Sequence, residues 1–330
     1  MNLGELGEFG FIGRVADRAG SGGGVALGIG DDAAAVIPSP GMQTLVTADM
    51  LVEGVHFDLA LTAPRDLGRK SLAVNLSDIA AMGGIPRFAL LSLAIPPGLS
   101  LDFLDEFVAG FTSCAAEHRT VLIGGDTCSS RNGFVISVTL TGEQQPQRIV
   151  RRSGARPGDR IYVTGTPGDS ALGLALLRQG ERNGDAVRRH LAPVPRNRAG
   201  LLLAEKGAAA AMIDVSDGLL ADLGHILEQS GCGATVYLDR LPLSAEYRRQ
   251  SSRLSGDFYS CALSGGEDYE LLFTAAPGLR ETIAGLSAGL DLPMTDIGEI
   301  RGEPGLSVID PGGALYVPAS RGFDHFATKS

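Results

Sequence analysis

The chain has 330 residues, 44% of them hydrophobic and 20% charged, with a formal net charge of −10. This balance excludes a disordered or collagen-like chain, and the length makes two domains the expectation. The charge argues against nucleic acid or a membrane surface as a partner, because both attract clustered Lys and Arg.

Strand-like runs are predicted at 25–29, 44–52, 88–95, 120–123 and 133–141, with helices at about 64–82 and 101–118 between them. The polar stretch 143–160 has no apolar periodicity and is read as the junction between domains 1–145 and 146–330. A second series follows: strand 161–165, helices 168–179 and 196–209, strand 211–215, helix 218–230, strands 234–238 and 269–275, helix 278–288, and short strands to the end. The fold class is mixed α/β (α+β), with two mixed-sheet domains. The halves share weak echoes, Leu76-Ser77-Asp78 against Val215-Ser216-Asp217 and Gly124-Gly125-Asp126 against Gly265-Gly266-Glu267.

Asp outnumbers Glu, although Glu is the better helix former, so turns, caps or hard-metal ligation must account for the surplus. The acids recur at strand ends and edges, often beside Gly. Asp31 and Asp32 follow Gly28 and Gly30 after the first strand. Gly28-x-Gly30-x-x-Ala33 formally fits a dinucleotide fingerprint, but two acids would face a pyrophosphate, and Pro38 and Pro40 curtail the helix that should follow. Asp49 stands mid-strand among Val46, Leu51 and Val52, where a carboxylate is disfavoured without a partner such as a metal; Glu53 and His56 fall in the next turn. Ser71, Asn75 and Asp78 form a polar stripe on an otherwise apolar helix, readable as a site or as a structural network. Asp126 follows Gly124-Gly125 at the end of a strand, and Asp214 ends another; Ser216 or Asp217 is suited to capping the helix after it. Glu267 and Asp268 follow Gly265-Gly266. Carboxylates repeated over several elements suit Mg²⁺, which leaves places for phosphate oxygens and so points to a phosphotransferase.

The familiar phosphate motifs are missing. No Gly-x-x-x-x-Gly-Lys-Ser/Thr occurs, and no His-Arg-Asp or Asp-Phe-Gly. Arg151 and Arg152, in the junction, are the candidate phosphate-binding cations. Cys114, Cys128, Cys232 and Cys261 never fall in a Cys-x-x-Cys spacing and are read as reduced, mostly core thiols. With no long apolar run and no basic leader, the expected location is the cytoplasm.

The strings GIGDDAA (28–34), TADMLVEGVHF (47–57), NLSDIAAMGG (75–84), LIGGDT (122–127), RSGARPGD (152–159), YVTGTPGDS (162–170), IDVSDGLLADLGHI (213–226), LSGGEDYEL (263–271) and RGFDHF (321–326) together resemble the thiamine-monophosphate kinases of the aminoimidazole-ribonucleotide synthetase superfamily. The resemblance implies ATP as co-substrate and thiamine monophosphate as acceptor, with several Mg²⁺ ions, direct transfer, and a homodimer formed through the N-terminal domains. It makes 1–145 a metal- and ATP-binding domain and 146–330 the domain that completes the active site. It implies metal ligation by Asp32, Thr47, Asp49, Asp78, Asp126, Asp214 and Asp217, and nucleotide contacts from Gly125, Asp126, Arg152 and Ser216. Among these, Asp49, Asp78, Asp126 and Arg152 would be catalytic, and His56, Glu267 and Phe323 would contact the thiamine moiety. The surplus Asp would then be concentrated at one metal site. Ala48 stands where the family usually has Thr, and His118 lies near a position where some members stack a Tyr on the nucleotide.

Relatives with acyl- or amide-phosphate chemistry are the alternative. Selenophosphate synthetase would want an N-terminal reactive Cys, whereas the first here is Cys114, and the hydrogenase-maturation relative ends in Cys, whereas this chain ends Ala-Thr-Lys-Ser. A nucleotide-binding module without turnover is a third reading.

Overall fold

The computed structural model describes residues 3–20, 22–253 and 257–323. The chain divides into two compact units, Met1–Ile79 with Gly84–Gln147, and Ala80–Gly83 with Arg148–Ser330. Each is mixed α/β with its own sheet.

In the first unit, α1 (Leu3–Arg18) precedes the short pair β1 (Val25–Leu27) and β2 (Ala35–Val36). Then come β3 (Gln43–Val52), α2 (Pro64–Ala81), β4 (Ile85–Ile95), α3 (Leu101–Glu117), β5 (Val121–Ser129) and β6 (Val135–Gln144). Sequence periodicity misses α1 because glycines interrupt its apolar pattern and the helix kinks at Gly7. Tertiary contacts hold it: Phe11 is fully buried, and Arg14 and Arg18 both pair with Asp105 of α3.

The four main strands run in the order β3-β6-β4-β5, so β3 and β5 are the two edges. β4 and β5 are parallel, as the α3 crossover between them requires, and the other pairs are antiparallel. Strand alternation turns Leu45 and Leu51 of β3 inward and leaves Val46 and Met50 68% and 58% exposed. Phe134 anchors the core by edge contacts with Phe57, Phe103 and Phe107. α2 and α3 cross closely at two glycines, where a Cβ on Gly68 would sit 1.9 Å from the Phe107 carbonyl oxygen and one on Gly110 1.9 Å from that of Arg65.

One expectation is corrected here. β5 does not end at the glycines but runs through Gly124, Gly125 and Asp126 to Ser129, because ladder pairing with Leu90, Leu91 and Ser92 outweighs the low strand preference of Gly and Asp.

The second unit contains β7 (Arg160–Thr164), α4 (Asp169–Arg178), α5 (Asp185–Leu191), α6 (Asn197–Glu205), β8 (Ala211–Asp214), α7 (Leu219–Ser230) and β9 (Gly233–Tyr237). It continues with α8 (Ala245–Gln250), α9 (Ser260–Ser264), β10 (Leu271–Ala275), α10 (Arg280–Leu290), β11 (Met294–Arg301), β12 (Gly305–Ile309) and β13 (Leu315–Tyr316). The seven strands are ordered β13-β12-β9-β11-β7-β10-β8, with only β12 and β9 parallel. Tyr162 stacks on Phe273 at 5.3 Å within a core that includes Leu203, Met212 and Ile283. The short helices α5, α8 and α9 carry too few turns for a period to be read from sequence. The echoes between the halves have no structural counterpart: Asp78 lies in a helix and Asp217 in a loop, while Gly124-Gly125-Asp126 is strand and Gly265-Gly266-Glu267 is loop.

The helix crossing is testable. Gly110→Ala should destabilise the first unit by about 1–3 kcal/mol or more, because α2 and α3 must separate to admit the methyl group. Urea unfolding measures it, and an unchanged midpoint would show that the helices can part freely.

Candidate active site

The mid-strand acid of β3 has a partner. Alternation puts Thr47 and Asp49 on the same face as the buried Leu45 and Leu51. Asp78 of α2 meets them there, accepting a short hydrogen bond from the Thr47 hydroxyl. Burial, and then the charge of Asp78, push the Asp49 carboxyl up to about 7. The polar stripe on α2 therefore divides. Ser71 donates to the Leu67 carbonyl and Asn75 to the Ser71 carbonyl, both buried within the helix, while Asp78 alone turns to the acid on β3. Beside this pair, the turn after β3 fixes His56: its Nδ1 accepts from the Val52 N–H at 3.0 Å, which puts the ring proton on Nε2. Glu53 accepts from the Phe134 N–H and is occupied in holding that turn.

Asp32 and Asp126 lie elsewhere in the first unit, along a groove of about 860 Å³ walled by Phe9, Ile12 and Ile123. Gly125 in that groove admits no side chain, since a Cβ would lie 1.8 Å from the Leu91 carbonyl oxygen. One oxygen of Asp126 accepts from the Thr127 N–H. Asp49, Val138, Leu91 and Gly125 occupy one row across the sheet. Asp49 and Asp126 thus belong to opposite edges, three strand spacings or about 14 Å apart.

In the second unit three loops are tied together by backbone hydrogen bonds. The Glu267 N–H donates to the Ser216 carbonyl, Tyr269 N–H to Val215, and Phe323 N–H to Asp217. Ser216, Asp217, Glu267 and the half-exposed Phe323 are thereby gathered beside Asp214 at the end of β8. The expected capping of α7 by Ser216 or Asp217 is corrected: the cap residue is Gly218. Asp222 in the first turn instead reaches back, accepting from the N–H groups of Ser216, Asp217 and Gly218 at 3.0–3.1 Å. Burial, and then the charge of Asp217, push Asp222 up to about 7.

Sequence reasoning named Asp268 only as an acid beside Glu267 and did not single out Asp222, Glu270 or Arg196, which also hold this cluster. Asp268 accepts from the Gly168 and Ser170 N–H groups and fixes the start of α4. Buried Glu270 takes Arg196 Nε at 2.7 Å and the Thr164 hydroxyl at 2.6 Å. Buried His190 sits 3.1 Å from the Ser170 hydroxyl and 3.5 Å from Glu267. Glu267 and Tyr269 have φ of +66° and +52°, a strained backbone for residues with side chains, of the kind that clusters at functional sites. The density of acids after Gly265-Gly266 was the available signal.

Among the described residues no group of three or more His, Cys, Asp or Glu side chains is positioned to hold one metal ion. The structure pairs Asp49 with Asp78 and Thr47, puts Asp32 and Asp126 on one groove, and gathers Ser216, Asp217, Glu267 and Phe323 in the second unit. Arg151 and Arg152 are exposed, also in the second unit. Ala48 is exposed on the opposite face of β3, and His118 caps the end of α3. Of the cysteines, Cys114 and Cys232 are core residues, but Cys128, near the end of β5, is exposed, which corrects the core reading for that residue.

Two sheet-bearing units with acids on glycine-flanked turns define a class. Residues 30–144 match the N-terminal domain model of the AIR synthase related proteins, and residues 156–311 match the C-terminal one. The chain is 43% identical to the thiamine-monophosphate kinase of Salmonella typhimurium, covering 98% of this chain and 99% of that one. The Bacillus subtilis enzyme of the same name is 37% identical over 97% and 99%. Among solved structures, the thiamine-monophosphate kinase from Stenotrophomonas maltophilia superposes with a TM-score of 0.83 at 43% identity, covering 92% and 96%. A structure described as AaThiL complexed with AMPPCP and TMP gives 0.77 at 32%, covering 99% of both. The chain belongs to the thiamine-monophosphate kinase family. Structures of the hydrogenase maturation protein HypE, 20–22% identical, share the fold alone.

The Asp49–Asp78 pair has a pH signature. In metal-free protein the native state keeps a proton on Asp49 up to about pH 7, whereas the unfolded chain releases it near the usual 3.8. The contribution to stability therefore falls as pH rises between those values and is level above them. Unfolding in EDTA across that range should show a wild-type decline that Asp49→Asn lacks; parallel curves would refute the coupling.

Proposed function

We propose that this chain transfers the γ-phosphoryl group of ATP to thiamine monophosphate, releasing ADP and thiamine diphosphate, with Mg²⁺ bound by its carboxylates and with attacking and leaving oxygens in line. The observation that carries this reading is near full-length kinship with kinases of that name, one relative having been solved with AMPPCP and TMP. The all-oxygen set of Asp49, Asp78 and Thr47 fits Mg²⁺, which takes one or two carboxylates and leaves other positions to water and phosphate. When bound, Mg²⁺ neutralises phosphate charge that would otherwise keep two polyanions apart.

The remaining work falls to the chain's own groups. The acceptor phosphate is already largely dianionic at pH 7 and needs no general base, so positioning matters most. The Gly125 backbone approaches phosphate where no side chain intrudes, and Asp32 and Asp126 supply further oxygens. Arg152 offers a forked guanidinium to phosphate oxygens, and Ser216 a hydroxyl to the nucleotide. His56, its ring held by the Val52 N–H, is assigned to contact the thiamine moiety. Glu267 and the ring of Phe323 suit the cationic thiazolium by charge and by cation–π attraction. Asp214 and Asp217 add ligands on the second unit.

We further propose a homodimer through the first unit. Asp49 and Asp126 occupy opposite edges of one sheet, and between them runs a face exposing Val46, Met50 and Leu90. A second copy packed on that face would cover this apolar surface. No helix among the described residues is long and apolar enough to cross a membrane, and we place the reaction in the cytoplasm, where ATP is supplied.

Mixing protein, Mg²⁺, ATP and thiamine monophosphate should yield thiamine diphosphate by chromatography. Asp49→Asn should lower kcat at least about 100-fold, a loss of the size seen when one electrostatic stabiliser is removed, with an unchanged circular dichroism spectrum. Undiminished turnover at saturating Mg²⁺ would remove Asp49 from the machinery. Sedimentation velocity at micromolar concentration should show a dimer; a monomer would refute the dimer assignment.

A further inference from the structure

The second unit carries a separate cavity of about 500 Å³ lined by Arg160, Tyr162, Arg240, Pro277, Arg280 and Asp296. Its lining holds three guanidinium groups against one carboxylate, in a chain whose net charge is −10. We propose that this cavity is a binding site for a small phosphate-bearing anion, distinct from the residues assigned to catalysis.

The ion pairs around the cavity leave cationic capacity unused. Arg160 claims both oxygens of Asp296 through Nε and Nη2, each at 2.9 Å, and Glu299 through Nη1. Arg240 is left with one contact to Asp296 at 3.8 Å, too long for a hydrogen bond. Its guanidinium is held instead by stacking on the Tyr237 ring, 4.3 Å from the centroid, which fixes the group while leaving its N–H donors available. Arg280 forms no ion pair among the described residues. It is also the first residue of the 11-residue helix α10, the end where the helix dipole disfavours a cation. An anion in the cavity would relieve that conflict, meeting the guanidiniums of Arg240 and Arg280 together. Several acceptor oxygens on a tetrahedral centre match donors arriving from different directions better than one planar carboxylate does. A structural ion-pair network, the plain alternative, accounts for Arg160 but not for Arg240 and Arg280.

The test uses full-length protein in EDTA, so that sites loading phosphate through Mg²⁺ are silent, and titrates inorganic pyrophosphate by calorimetry. One pyrophosphate should bind per chain, and Arg240→Ala and Arg280→Ala should each weaken it about tenfold or more, the scale of a lost charge-assisted hydrogen bond. Asp49→Asn should bind as wild type does. Both arginines are exposed, so the variants should fold, which circular dichroism checks. Replacing pyrophosphate with thiamine diphosphate or ATP separates the sources: tighter binding of either assigns the site to an organic diphosphate, and equal binding to the inorganic anion. No heat at millimolar pyrophosphate, or equal affinity in wild type and the Arg240→Ala/Arg280→Ala double variant, overturns the proposal. Loss of binding in Asp49→Asn alone would place the anion at the catalytic carboxylates and overturn it too.

Discussion

Repulsion between carboxylates held close together is the constraint on which the site depends. Asp49 and Asp78 come from a strand and a helix that pack for apolar reasons, so neither acid can retreat without disturbing the core that includes Leu45, Leu51 and Ile79. Burial raises the cost of charge on Asp49, and the neighbouring carboxylate raises it further. A proton relieves that cost below neutral pH. The second unit repeats the arrangement, with burial and then Asp217 acting on Asp222. There the raised carboxylate is already engaged by three backbone N–H groups, so its work is to shape the loop that carries Ser216 and Asp217.

Shape in the second unit comes in part from buried acids held by specific partners, since such groups are costly when left alone. Glu270 is satisfied by Arg196 and Thr164, and Asp169 by the hydroxyls of Thr166 and Ser244. Glu270, together with Asp268 on the N–H groups of Gly168 and Ser170, anchors the segment in which Glu267 and Tyr269 hold left-handed backbone conformations. Strain of that kind persists only where the surroundings over-determine it, and the hydrogen bonds to Ser216 and Val215 do so here.

The long strands and helices were legible in sequence because their apolar period is sustained: β3, α2, β4, α3, β6 and α7 all appear close to where the pattern puts them. What failed has physical causes. α1 is held by burial of Phe11 and by two arginines on Asp105, none of which a glycine-broken pattern reveals. β5 continues through residues of low strand preference because both its neighbour and its register are already set. The acids beside glycines were visible as candidates, but their grouping was not. Periodicity says which face of a strand Asp49 occupies and nothing about which edge of the sheet its strand will take. Arg196 lacks a local signal, since its partner Glu270 is the side chain of a distant segment, whereas Asp222 was passed over although its backbone donors lie only four to six residues before it.

The surplus of Asp also takes a different meaning. Concentration at one metal site was the expectation, yet many of these carboxylates accept from a backbone N–H within a few residues. Asp31 does so from Asp32, Asp58 from Ala60, Asp126 from Thr127, Asp159 from Arg156, Asp257 from Tyr259, and Asp310 from Gly312 and Ala314. The shorter Asp side chain reaches such donors where Glu would overshoot, and the abundant glycines supply the turns in which they lie. Asp therefore serves two ends in this chain, closing turns and presenting charge. Asp126 presents charge from within β5: one oxygen accepts from the adjacent Thr127 N–H, and the carboxylate so held lines the groove it shares with Asp32.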